Sequence, residues 1–179
     1  AQNGFFNVLG YFTGPDPFFI SWIIAVPYSL MDRSELMAQS ISLLFGLGSV
    51  VLGWLVANKI WNKDISNKVG WAIALFPTLI LYSVLTLREV YVVFFLLMAL
   101  YYIVIWTKTD SLASIILAMI GFFGATCFHG AMFVGGIVFL AIVVLSNIKK
   151  LFKSFRNFKL NYKILILILL IISSGLYVS

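Results

Sequence analysis

The chain has 179 residues, 63% of them hydrophobic and 10% charged, with a mean hydropathy of +1.09. Soluble domains are roughly half apolar and about a quarter charged, so an aqueous globular fold is excluded and lipid is the solvent. The net charge of +6 then reads as basic cytoplasmic loops rather than a nucleic-acid surface, and the single cysteine, Cys127, excludes an internal disulfide and any Cys-rich metal centre.

Residues 1–35 are expected to form an outer loop. It holds the turn-forming stretch Thr13-Gly14-Pro15-Asp16-Pro17 and an apolar run over 17–31 that contains Pro27. That run is short for a span and suits an interfacial or re-entrant helix. Six spanning helices follow, over 36–58, 69–87, 90–106, 112–128, 130–147 and 162–178. Hydrophobicity hardly falters from 69 to 106, yet a single helix of that length would far exceed the ~30 Å hydrocarbon layer at ~1.5 Å per residue. The chain must therefore fold back, and Arg88-Glu89 marks the turn; His129-Gly130 divides 112–147 in the same way. Pro77 is expected as a tolerated mid-helix kink. Small residues at Gly46, Gly48 and Gly53, and again at Gly121, Gly124 and Ala125, predict close helix packing. The expectation is an all-α, polytopic transmembrane bundle: a single domain over 1–179, with core helices over 36–147, and part of a longer chain.

Orientation follows from the basic residues. The connections at 59–68 and 107–111 carry Lys59, Lys63, Lys68 and Lys108. The loop at 148–163 adds Lys149, Lys150, Lys153, Arg156, Lys159 and Lys163. Ten of the twelve basic residues thus fall on one side, which the positive-inside rule makes cytoplasmic. The run 149–163 is interleaved with Leu151, Phe152, Phe155 and Phe158, and reads as an inner-leaflet anchor in contact with membrane lipids. A bacterial inner membrane is the expected location.

The opposite side then collects Asp16, Asp32, Arg33, Glu35, Arg88, Glu89 and His129, which include four of the six acids and the one histidine. Arginine is the residue disfavoured on that side, and charges near apolar helices face a cavity or a partner. Neighbours in sequence do not face each other on a helix, so Arg88 and Glu89 are expected to contact different groups. The guanidinium fork of Arg88 suits a phosphate or diphosphate. Glu89 can position a hydroxyl or act as a base, and histidine is the side chain that exchanges protons near neutral pH. Asp16 can activate a hydroxyl or hold a divalent cation; no metal site is otherwise indicated. Tyr82 and Ser83, just inside the boundary, are expected head-group or sugar contacts.

The run Phe76-Pro77-Thr78-Leu79-Ile80-Leu81-Tyr82-Ser83, followed by Leu87-Arg88-Glu89 and a long aromatic-aliphatic helix, resembles integral-membrane glycosyltransferases of the GT-C type. It is also similar to Wzy- and EpsG-like polysaccharide polymerases. Met37-Ala38-Gln39-Ser40 with Leu44-Phe45-Gly46 upstream, and Phe128-His129-Gly130-Ala131 downstream, extend the likeness over about residues 10–145. The resemblance implies sugar transfer at the extracytoplasmic face from a polyprenyl-diphosphate-linked saccharide. Glu89, His129 and Asp16 would be catalytic, and Arg88, Tyr82, Ser83 and Arg33 would bind substrate. Such enzymes carry an acidic outer loop after an initial span that is absent here, and they have more helices.

Three other classes compete. A flippase or transporter of a lipid-linked saccharide predicts polar residues along a transmembrane path, whereas these helix centres hold almost no charge. A thiol peptidase using Cys127 and His129 is disfavoured, because residues two apart point apart on a helix. A non-catalytic assembly subunit would tolerate loss of Arg88 and His129 together.

Overall fold

The computed structural model describes residues 19–30 and 34–156, with side chains for 19–29 and 34–146. Among the described residues there are seven helices and no strand: α1 (Phe19–Leu30), α2 (Glu35–Ile60), α3 (Lys63–Ala74), α4 (Pro77–Val84), α5 (Arg88–Thr109), α6 (Leu112–Phe128) and α7 (Met132–Arg156). The all-α class expected from the sequence holds. The number of spans does not. Among the described residues only α2 and α5 are long and apolar enough to cross a membrane by themselves, and α3 with α4 makes a third if that pair counts as one crossing. Helix α6 has 17 residues and the apolar part of α7, Met132–Ser146, is shorter still. The helix expected over 162–178 lies outside the described residues.

The packing of α2 is inverted relative to a soluble helix. Every one of its buried residues is Ala, Ser or Gly: Ala38, Ser42, Gly46, Ser49, Gly53 and Ala57. Many of its leucines point away, with Leu36 at 73% and Leu44 at 67% exposure. In water this would leave the hydrophobic effect undriven. In lipid, tails solvate leucine as well as a protein core does, and backbones that approach over small residues gain the contacts. The hydroxyls in the stripe are satisfied within the bundle: Ser49 Oγ donates to the Phe45 carbonyl at 2.9 Å, and Ser42 pairs with Tyr91.

The described residues up to Met132 form one compact unit, and those from Phe133 onward a second that takes in most of α7. Within the first unit α2 and α5 run parallel, because Ser42 meets Tyr91 at one end and Lys108 Nζ donates to the Lys59 carbonyl at the other. The leg α3–α4 returns between them: Gly46 faces Ser83, and Gly53 faces Ile73. Helix α6 runs antiparallel to α5, with Gly121 against Ala99, Gly124 against Phe95 and Phe128 stacked on Tyr91.

The expected span over 69–87 is broken, and it begins earlier. Asn62 caps α3, its Oδ1 accepting from the Ile65 N–H at 3.0 Å. Pro77 is not a mid-helix kink; it opens α4. Proline lacks an N–H and pushes the preceding residue to extended backbone, and Phe76 sits at φ −69°, ψ 111°. The two helices bend by 51° at this point.

The turn between α4 and α5 also differs from expectation. It is made by Leu85, Thr86 and Leu87, and Arg88 and Glu89 are the first helical residues beyond it. The Leu87 N–H bonds back to the Tyr82 carbonyl at 3.2 Å, the six-to-one closure of a Schellman cap. Thr86 takes the left-handed position of that cap, with φ 53°. A β-branched residue there costs about 1–2 kcal/mol, and glycine gives back about 0.5–1 in chain entropy. Thr86→Gly is therefore expected to raise resistance to denaturation by up to about 1 kcal/mol in detergent–denaturant titrations. Loss of stability would show that the Thr86 hydroxyl, which donates to the Leu85 carbonyl at 2.7 Å, matters more than the strain.

Candidate functional site at the Arg88–His129 end

A buried aromatic joint holds this end together. Tyr91 is fully buried, stacks on Phe128 with centroids 4.8 Å apart and planes 13° apart, and tilts against Phe45 at 4.6 Å. Its hydroxyl lies 2.9 Å from Ser42 Oγ, so one side chain ties α5 to both α2 and α6. Phe19 of α1 closes on Phe128 edge-on at 5.1 Å. Such aromatic pairs add about 0.5–1.5 kcal/mol beyond area burial, and an interhelical hydrogen bond in a membrane adds about 0.6, at most ~1.7. Tyr91→Phe keeps the rings and removes the bond. It should cost about 0.5–1.5 kcal/mol in the same titration, with no further loss when Ser42→Ala is added.

The polar residues sit on the rim of this joint. Glu89 is two residues before Tyr91, and His129 directly follows Phe128, so the antiparallel pairing brings both to one end of α5–α6. Arg88 and Glu89 pair with each other, Nε to Oε1 at 3.5 Å, with side chains 42% and 44% exposed. This overturns the expectation that they contact different groups: at a helix start both long side chains can swing outside the cylinder. A single long contact at such exposure contributes little, about 0–1 kcal/mol. It uses only Nε, and the two terminal nitrogens of the Arg88 fork are not engaged by any described residue.

The electrostatics of the position are also unusual. A helix N-terminus carries partial positive charge, which suits Glu89 and opposes Arg88. Arg88 therefore stands where helix stability does not call for it.

His129 terminates α6 in extended conformation, φ −151° and ψ 98°. Its N–H donates to the Ala125 carbonyl, and its own carbonyl accepts from the Met132 N–H, each at 2.9 Å. The backbone is thus spent on capping. The imidazole is exposed and bonded to no described residue. No hydrogen bond or ion pair links it to Arg88 or Glu89 among the described residues. Gly130 beside it opens to empty space.

The remaining candidates divide. Ser83 is buried at 4% exposure, sits against Gly46, and donates to the Leu79 carbonyl at 2.8 Å. Its hydroxyl is already satisfied within its own helix, so it is a packing residue and not a sugar contact. Tyr82 is half-buried against the aromatic joint. Asp16, Asp32 and Arg33 lie outside the described residues, as do the side chains of the basic run 149–163. Cys127 is a half-buried free thiol among the same aromatics. Among the described residues no three of His, Cys, Asp and Glu gather as metal ligands would. Sequence reasoning missed Tyr91 and Ser42, which no motif distinguishes from neighbouring apolar helix.

No protein-family model, curated protein or solved structure matches this chain.

Proposed function

We propose that the chain is the membrane-embedded part of a glycosyltransferase or polysaccharide polymerase. It would move saccharide from a polyprenyl-diphosphate carrier at the extracytoplasmic face of a bacterial inner membrane. The observation that carries the reading is an arginine fork at a helix start whose terminal nitrogens no described residue engages, on the rim it shares with an exposed imidazole. Backbone N–H groups at a helix N-terminus and a guanidinium favour the same ligand, an oxyanion with several acceptor oxygens.

In this reading Arg88 holds the diphosphate and neutralises the charge that grows on it as the glycosidic bond breaks. Glu89 would be repelled by that diphosphate, so it is assigned to the acceptor, whose hydroxyl proton it takes as the new bond forms. His129 protonates or orients at the same face, and Asp16 and Arg33 extend the site. A divalent cation held by Asp16 is compatible with this chemistry. Tyr82 would contact the sugar or the head group.

The roles separate in the full-length protein given a labelled polyprenyl-diphosphate saccharide. Glu89→Gln is expected to slow transfer by about 10²–10⁴-fold, the usual range for a general base, while donor binding stays within about twofold. Equal loss of binding and transfer would remove Glu89 from the acceptor role. Unimpaired transfer in a chain carrying both Glu89→Gln and His129→Ala would favour a non-catalytic subunit.

A further inference from the structure

A second feature lies at the opposite, lysine-bearing end. An open groove of about 310 Å³ lies between helices α2 and α3 there. Val50, Val51 and Trp54 form one wall, and Gly70, Trp71 and Ala74 the other. Gly70 lets Trp54 lie directly on α3, since a Cβ there would stand 3.3 Å from the Trp54 ring, and the groove opens beside that contact. Asn67, the polar group on the wall, is occupied: its Oδ1 accepts from Trp54 Nε1 at 2.9 Å. What is left is a mostly apolar slot, with the Asn67 amide nitrogen as its one polar edge.

Its end is different in character. Asn67, Gly70 and Ala74 fall four, seven and eleven residues after Lys63, so Lys63 continues the same stripe of α3. Asn58 continues the α2 wall, seven residues after Val51 and four after Trp54. Both are exposed. Lys63 forms no ion pair with a described carboxylate, although Asp64 is adjacent; Lys108, by contrast, is already committed to the Lys59 carbonyl. Trp54, Trp61, Trp71 and Trp106 all belong to this half of the helices, the level at which tryptophan marks a lipid–water boundary.

We propose that this groove is a binding site for one anionic phospholipid, with an acyl chain between Trp54 and Trp71 and the head-group phosphate at Lys63. An apolar slot that opens onto a cation at head-group depth matches such a molecule in both shape and charge. The assignment is independent of the chemistry proposed at the far end.

Tryptophan quenching by brominated phospholipids tests it. In the 179-residue chain carrying Trp22→Phe, Trp61→Phe and Trp106→Phe, the remaining indoles of Trp54 and Trp71 report on the groove. Brominated phosphatidylglycerol should associate about fivefold more tightly than brominated phosphatidylcholine, the factor one lysine contributes at an anionic lipid surface. Lys63→Gln should reduce that ratio to about one and leave phosphatidylcholine association unchanged. Should the tryptophan-reduced chain not fold, native mass spectrometry of the otherwise unaltered chain, with and without Lys63→Gln, gives the same ratio. Equal association of the two lipids overturns the proposal, as does a preference that survives Lys63→Gln. Stoichiometric displacement by a polyprenyl phosphate also overturns it, because the slot would then belong to a carrier lipid.

Discussion

An Arg88→Ala chain is expected to lose about 10²–10³-fold in the rate of saccharide transfer while accumulating in the membrane at the normal level. The factor is that for removing one preorganised donor from charge developing in a transition state. The structural side of the expectation is specific. The Arg88–Glu89 contact is long and exposed, so its loss removes about 0–1 kcal/mol of stability at most. Removing a cation from a helix start is mildly favourable in itself. A large fall in product without a fall in protein is therefore the signature of a group that acts on substrate. Arg88→Lys should fall between the two, since an ammonium keeps the charge and loses the planar fork. Glu35→Gln, at the start of α2 on the same side, should transfer normally. Full product from Arg88→Ala would remove the arginine from the mechanism and leave its position unexplained.

The largest structural effect is expected at Gly121. A Cβ there would stand 2.8 Å from the backbone nitrogen of Ala99 and 2.9 Å from its Cα. Backbone cannot rotate aside as a side chain can, so any residue larger than glycine must push α6 off α5. Overpacking of a tight interface costs about 1–3 kcal/mol and occasionally more; with a whole isobutyl group to place, Gly121→Leu should cost about 3 kcal/mol or more. The displacement would also separate Phe128 from Tyr91, seven residues along, and with it the rim that carries His129. Gly130→Leu is the control: nothing lies within 4 Å of its Cβ position, and the change should stay within about 0.5 kcal/mol. Denaturation midpoints in mixed micelles measure both. Similar values for the two variants would show that the α5–α6 contact is looser than its geometry implies.

Much of the helical framework was legible in the sequence because lipid imposes simple rules. Spacing of charges placed the starts near Glu35, Arg88 and Leu112, and small residues at Gly46, Gly53 and Gly121 marked the close contacts. Two features were less accessible for physical reasons. Hydrophobicity is nearly uniform from 69 to 87, so it carries no information about the break at Phe76-Pro77; only the backbone restriction that proline puts on its neighbour signals it. Tyr91 is one aromatic among several in α5, and its role as the joint between three helices depends on Ser42 and Phe128, which are 49 and 37 positions away. At the rim, the sequence singled out Arg88, Glu89 and His129 by chemistry alone. Ser83 looked similar by type, but a hydroxyl bonded back to the preceding turn is a way of hiding polarity in a helix.

The proposed chemistry requires Glu89 and His129 to open onto one membrane face, opposite the lysines. Single-cysteine labelling tests it most directly, because Cys127→Ser yields a cysteine-free chain. On that background, Glu89→Cys and His129→Cys should both react with a membrane-impermeant maleimide added to intact cells. Lys68→Cys should react only after the membrane is opened. Labelling of positions 89 and 129 from opposite sides, or of position 68 from the same side as both, would contradict the shared face and the sugar-transfer chemistry built on it.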